Sequence, residues 1–390
     1  MNTIDKRQTI IFYKTAIPVI LSVFVIYLTM GIALGVLPEL IKNELKFSSF
    51  WVGVVIAMQS LATLLTRAYA GKITDTKGAK KSHLSGVILI IFTGVIYCFS
   101  SIFIQYPVTA LIILILARIF HGMSESLVVT GAATWGIGLT GVKNSGKMMS
   151  WIGIAIYGGI IAGAPLGILL IQKWGISSAF PFIVILPLVS LLLTSKLPII
   201  PFDNTHVREP FYKVVRSIAK YGLGLTLSSI GYGCLLSFIA LFFMSNNWGN
   251  PSLAFLTFGI FYVMTRVFFS SSSDKYGGYI VALISLIIET IGQILMGFPF
   301  SKAMVIVGCG LTGIGSSLVY PALGVLAIKK VDTQMRGTAL GAYAAFVDLA
   351  LAVAGPLGGL IAGWLNYHAV YLFGGACCLL AIATVSHKRN

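Results

Sequence analysis

Residues 121–167 of this chain lie over residues 312–358 at a constant offset of 191, without a gap. Gly122 falls on Gly313, and Ser126, Leu127 and Val128 fall on Ser317, Leu318 and Val319. Gly146 matches Gly337, Pro165 matches Pro356 and Gly167 matches Gly358. An earlier block repeats at an offset of 199, which puts Arg67, Asp75 and Gly78 on Arg266, Asp274 and Gly277. The chain is therefore two similar halves in tandem, and both carry apolar runs long enough to cross a bilayer, such as 17–37 and 221–244. A membrane chain built from two homologous halves is expected to be a carrier with its site between them.

Composition sets the solvent. The chain is 57% hydrophobic and 10% charged, with a mean hydropathy of +0.94, whereas soluble domains carry about 25% charged residues. Lipid satisfies no backbone polar groups, so a span must be a helix or part of a closed barrel. The apolar runs here are continuous rather than alternating, which predicts helices. Twelve spans are expected, near 15–38, 48–70, 83–103, 108–137, 148–171, 177–195, 219–244, 252–271, 279–298, 303–328, 338–364 and 367–386. The expected fold is an all-α integral membrane protein of two six-helix halves, 1–195 and 221–390, joined by a polar linker over 196–220 that holds Pro198, Pro201, Asp203, Arg208, Glu209 and Pro210. The first apolar run is too long for a signal-peptide core and lacks a clear cleavage site, so it is read as the first span.

The net charge of +16 is explained by topology rather than by nucleic acid. With twelve spans and an intracellular N-terminus, 20 of the 27 Lys and Arg fall on one side, and only Lys42, Lys46, Lys173 and Lys302 fall on the other. That asymmetry predicts a cytoplasmic location for both termini. Cys98, Cys234, Cys309, Cys377 and Cys378 all lie within spans and read as small core residues. No His or Cys set has metal-ligand spacing, and no glycine-rich loop with Lys-Ser/Thr is present for a nucleotide. No metal, cofactor or enzymatic activity is expected.

Three motifs carry chemistry. Between spans two and three stand Gly71, Asp75, Gly78, Lys80 and Lys81. Gly71 allows close helix approach, Asp75 can pair with a cation or with helix N-terminal amides, Gly78 suits a tight turn, and the lysines fix topology. Span four holds Arg118, His121 and Glu125, whose spacing of three and four places them on one helix face. A cation and an acid inside a span are costly unless paired or wet, and they usually mark function, although an internal clamp that only fixes packing is the alternative. Span five carries Gly159, Gly163, Pro165 and Gly167, and span eleven carries Gly355, Pro356, Gly358 and Gly359. Glycines four apart let helices pack backbone to backbone, and proline adds a bend.

The first of these motifs resembles the loop signature of the major facilitator superfamily, G-x-x-x-D-x-x-G-x-[KR]-[KR], with Thr76 and Ala79 standing where further basic residues are common. The resemblance implies that the loop gates the inner helix ends, together with Arg67 and the second-copy residues Arg266 and Asp274. Arg118 and Gly122 resemble the span-four signature of the same superfamily, which implies a role for Arg118 in proton coupling; His121 stands where Gln is usual. The span-five run resembles the G-x-x-x-G-P-x-x-G motif of drug–proton antiporters, with Ala164 inserted before Pro165. Residues 122–127 and 145–158 resemble the YhhS/YfcJ-like subgroup, which implies a bacterial inner-membrane carrier.

Other polar groups within spans are Asp348, read as a coupling or substrate residue, and Glu289 with Gln293 one turn on, whose neighbours are left open among lipid, a helix or water. Glu39, after Pro38, is either solvated or part of an outer closure. Tyr27, Gln59, Tyr157, Tyr232, Tyr262, Tyr320 and Tyr343 are candidates to line a cavity, whereas Trp51, Trp174, Trp248 and Trp364 near span ends read as interfacial anchors. The expected function is a monomeric proton-coupled exporter of a small organic molecule, with protons and lipid as its other partners. Glu125, Arg118, His121 and Asp348 are assigned to coupling. Import of a sugar or metabolite, export of a metal-chelating metabolite, and a non-transporting receptor on the same scaffold are the alternatives.

Overall fold

The computed structural model describes the backbone of residues 3–141, 145–200, 211–269, 272–331 and 336–386. Among these residues there is no strand, and twelve helices are long and apolar enough to cross a membrane. They are α1 (Thr3–Glu39), α2 (Ser49–Lys77), α3 (Ala79–Ile102), α4 (Pro107–Thr140), α5 (Ser145–Trp174) and α6 (Phe180–Thr194), followed by α7 (Phe211–Ser245), α8 (Ser252–Phe269), α9 (Gly278–Gly297), α10 (Lys302–Ile328), α11 (Arg336–Trp364) and α12 (Tyr367–Ser386). A π-helical turn, Leu40–Glu44, extends α1, and a short helix, Ser272–Tyr276, precedes α9. Glu39 is half-buried where α1 passes into that turn.

Two helices reach further than their apolar runs. α2 continues through Gly71 and Asp75 to Lys77, so most of the motif expected between spans is helical and only Gly78 makes the turn. Thr74 and Thr76 return hydrogen bonds to the carbonyls of Ala70 and Lys72, which keeps polar side chains on this last stretch of helix satisfied. α7 begins at Phe211, within the stretch read as linker. Its first turns are amphipathic: Val214 and Ile218 are buried one turn apart, while Lys213 and Arg216 are exposed.

The duplication is visible in the backbone. Gly78 has φ 93° and ψ 145°, and its repeat mate Gly277 has φ 87° and ψ 137°, each just before the helix that follows. This region is open to glycine and strained for other residues. The packing repeats as well, since α3 pairs with α4 and α6 in one half, and α9 pairs with α10 and α12 in the other.

The chain packs as two compact units, Met1–Val36 with Ala62–His206, and Leu37–Leu61 with Val207–Asn390. In the first, α1 and α5 meet backbone to backbone. A methyl group on Gly159 would strike Phe24 and Leu28, one on Gly163 would strike Leu28 and Gly31, and one on Gly167 would strike Ile32. In the second, the 37–61 segment is tied to α11 and α12. Gly53 and Gly355 oppose each other through backbone atoms, Gly359 sits against Ser49 and Phe50, and the Ser49 hydroxyl lies 2.9 Å from that of Tyr367. Pro165, Pro321 and Pro356 stand inside α5, α10 and α11. A core of Val214, Ile218, Leu225, Leu286, Leu323 and Phe346, with their neighbours, closes one end of the second unit.

Candidate functional site

In the first unit the polar groups gather on α4. Glu125 is half-buried, and its carboxylate accepts from two helices: Tyr27 Oη of α1 donates to Oε1 at 2.9 Å, and Thr63 Oγ1 of α2 lies 3.2 Å from Oε2. Thr63 Oγ1 is also 3.1 Å from the Gly122 carbonyl, one turn before Glu125. Tyr27 is itself buried, so its hydroxyl is held rather than free to turn to water. One and two turns earlier, His121 and Arg118 are each 1% exposed. The Tyr97 ring stacks on Phe180 at 5.3 Å and meets His121 edge-on at 6.2 Å. Arg118 lies close enough to both Tyr97 and His121 to act on them electrostatically. Helix α4 thus presents a buried cation and, nearer its C-terminal end, a half-exposed acid in a cradle of hydroxyls.

Lys80, expected to fix topology, has a specific target. Its Nζ donates to the carbonyls of Ser195 and Leu197, both at 2.6 Å, at the end of α6. It also lies 5.7 Å over the Trp135 ring, and Trp135 Nε1 donates to the Pro198 carbonyl at 3.0 Å. A cation on the last carbonyls of a helix satisfies orphan acceptors and opposes the negative dipole end. Beside this latch His83 is fully buried, 2.7 Å from the Ser22 hydroxyl through Nε2 and 3.2 Å from the Val128 carbonyl through Nδ1. Ser22 is hydrogen-bonded in turn to Ser190 of α6. Lys81 is exposed, and Arg67, Gly71 and Asp75 are half-buried along α2.

The second unit holds an aromatic ladder. Tyr232 stacks on Phe258 at 5.2 Å, Phe258 meets Tyr262 at 5.8 Å, and Arg266 Nη2 donates to Tyr262 Oη at 2.8 Å. Tyr343 donates to the Tyr320 carbonyl at 2.9 Å, with the two rings 5.1 Å apart. Asp348 is 6% exposed on α11. Gln59 is fully buried on α2, and Tyr157 is half-buried on α5. The side chain of Asp274 lies outside the described residues. Glu289 meets neighbouring helices: it is fully buried, with Ser228 Oγ of α7 2.6 Å from Oε2 and Ser316 Oγ of α10 2.5 Å from Oε1.

Thr63, Tyr97, Ser228 and Ser316 were not singled out from the sequence. For two of them a signal existed. Thr63 stands one turn after Gln59, and Ser316 is the repeat mate of Glu125.

Comparison with known proteins agrees with this architecture. The family model described as Major Facilitator Superfamily matches residues 19–217 and 221–388. An uncharacterized MFS-type transporter of Salmonella typhimurium is 37% identical over 365 residues, covering 93% of this chain and 94% of the relative. The uncharacterized MFS-type transporter YhhS of Escherichia coli is 36% identical over 367 residues, covering 94% and 90%. Among solved structures, a D-xylose-proton symporter superposes with a TM-score of 0.79 at 16% identity, covering 96% and 97% of the two chains. The human organic anion transporter MFSD10 superposes with a TM-score of 0.74 at 15% identity, covering 96% and 99%. At such identities the superpositions establish the fold.

Proposed function

The chain belongs to the Major Facilitator Superfamily of transporters, and from that premise we propose that it is a proton-coupled antiporter that exports a small organic molecule by alternating access. The observation that carries this reading is the carboxylate of Glu125, held by hydroxyls from α1 and α2 on the helix that also buries Arg118 and His121. A coupling acid must exchange its proton with water in one conformation and be shielded in another. Hydrogen bonds to a charged group are worth about 1.5–3 kcal/mol each. Moving Tyr27 or Thr63 by an ångström or two as the helices shift therefore changes how well the ionised form is held. Arg118, buried on the same helix, supplies the positive field that such a shift modulates. Asp348, in the second unit, is assigned to reading the polarity of the substrate. The lysine-rich ends of α2 and α7 support placing both termini in the cytoplasm, and the bacterial relatives support an inner-membrane location.

The test is transport in proteoliposomes carrying an internal pH indicator. Candidate compounds are first chosen by thermal stabilisation of the purified protein. A stabilising compound should then move outward against its gradient when protons are supplied from outside, and a protonophore should abolish that movement. Uptake in the same direction as protons would indicate import. Movement indifferent to the protonophore would overturn proton coupling.

A further inference from the structure

Among the described residues, the second unit buries two acids, Asp348 and Glu289, and no lysine, arginine or histidine. Glu289 has no exposed surface and stands in the middle of α9. Its hydrogen bonds are to two hydroxyls, Ser228 of α7 and Ser316 of α10. Cys378 on α12 lies close enough to Glu289 to act on it electrostatically, and around Cys378 and its neighbour Tyr371 stand Cys234 on α7, Cys309 on α10, and Tyr367 and Cys377 on α12. None of them is a cation. One turn along α9, Gln293 Nε2 lies 3.4 Å from Thr312 Oγ1, and its buried Oε1 has no hydrogen-bond partner. The helices are drawn tight around this pair. Gly315 lies against Glu289, and Gly231 and Gly374 lie against Gln293, so no side chain from those three positions comes between. Tyr371, three residues before Gly374, also buries a hydroxyl without a partner.

The repeat gives the arrangement its meaning. At the offset of 191, Ser316 is the mate of Glu125, Thr312 of His121 and Cys309 of Arg118. α10 thus lacks the charged face of α4, and the acid in this half stands instead on the adjacent helix, in contact with the residue that matches Glu125. Glu289 touches the mate of Glu125, and Gln293 touches the mate of His121.

We propose that Glu289 is a proton-exchanging site of the second half, the counterpart of Glu125, which holds a proton while α7, α9 and α10 are shut as here and exchanges it with water when they part. The physical ground is solvation. An ionised carboxylate shut away from water carries a desolvation penalty, and two serine hydroxyls hydrogen-bond it without neutralising its charge as a cation would. A carboxylic acid in that place costs far less, and a serine hydroxyl can turn from donor to acceptor to receive its proton. The step is a plain proton transfer: when the helices part, a hydronium O–H bond breaks as the Glu289 O–H bond forms and leaves water, and release runs the same exchange in reverse, with no change of oxidation state. Intramembrane acids are expensive and are usually retained for function. As part of coupling, this inference rests on the proton-driven reading given above; as a statement about one carboxyl group, it is tested without any substrate.

The experiment is infrared spectroscopy of the full chain in lipid, following the carbonyl stretch of neutral carboxylic acids. The wild type should show such a band at neutral pH. It should be absent in Glu289→Gln, retained in Glu125→Gln and Asp348→Asn, and shifted but retained in Ser316→Ala and Ser228→Ala. The serine variants keep the assignment testable if Glu289→Gln does not fold. On transfer to D₂O the band should move to its deuterated position, more slowly than bulk amides exchange in loops. A band unchanged in every Glu289 and serine variant would overturn the proposal. So would a Glu289 band that never exchanges its proton between acid and alkaline pH, since a sealed acid is structural. Exchange at Glu289 together with substrate movement indifferent to the proton gradient would sink the proton-coupled reading and leave this one standing. A silent Glu289 with coupling lost in Glu125→Gln would do the reverse.

Discussion

Two glycines on α5 differ in what surrounds them, and the same substitution at each should act with opposite sign. A Cβ built on Gly163 would fall on the Leu28 carbonyl oxygen, 2.8 Å from Gly31 Cα and 2.9 Å from Ile32 N. All of these are backbone atoms of α1, so none can rotate away and the two helices would have to part. Overpacking of this kind costs about 1–3 kcal/mol. A Cβ on Gly153 would meet nothing within 4 Å. Both Gly163→Ala and Gly153→Ala gain the same intrinsic helix preference, about 1 kcal/mol, so that term cancels when the variants are compared. The difference that remains is the seam between α1 and α5. At about 2–4 °C per kcal/mol for a unit of this size, Gly163→Ala should melt some 2–12 °C below Gly153→Ala. The assay is tryptophan fluorescence on heating the purified protein in one detergent at one concentration. Equal midpoints, or a higher midpoint for Gly163→Ala, would refute the close backbone seam.

Two further outcomes are expected. In Lys80→Met the aliphatic stem remains and the two carbonyl contacts vanish; with Lys80 half-exposed, a loss of about 2 kcal/mol should speed hydrogen exchange of the Ser195 and Leu197 amides about 30-fold, while exposed Lys81→Met leaves them unchanged. Unaltered exchange in Lys80→Met would remove the latch. Asp348→Asn should alter affinity or selectivity for the transported compound, and its dependence on pH, more than the number of protons moved; identical affinities and pH profiles in wild type and variant would make Asp348 a packing residue.

The spans and the duplication were legible because each is written in long stretches of sequence. Apolar length marks a span wherever it packs, and the matched Gly78 and Gly277 adopt the same turn because both precede a helix and both have φ near +90°. The glycine runs of α5 and α11 were legible as packing surfaces, but not their partners, since a stripe of small residues does not name the helix it meets. Helix ends were less legible where polar residues continue a helix beyond its apolar run, as at Asp75 and at Lys213. The charged residues within spans were legible, and the hydroxyls that contact them were hidden. Serine and threonine are common in spans and carry no charge, so only the turn after Gln59 and the repeat register hint at Thr63 and Ser316, and neither names an acid as the partner. Glu289 was ambiguous for a related reason: helix period places it on a face, and only the packing of α7 and α10 determines whether that face is lipid or protein.

In the proposed mechanism Glu125 carries the proton that drives transport. The most direct measurement compares wild type and Glu125→Gln in proteoliposomes, using a compound the wild type transports, in two modes: concentrative movement driven by a pH gradient, and exchange between equal internal and external pools. Glu125→Gln should keep exchange and lose concentrative movement, because the helices still cycle while the proton no longer enters the cycle. Concentrative movement in Glu125→Gln at the wild-type level, still collapsed by a protonophore, would contradict it.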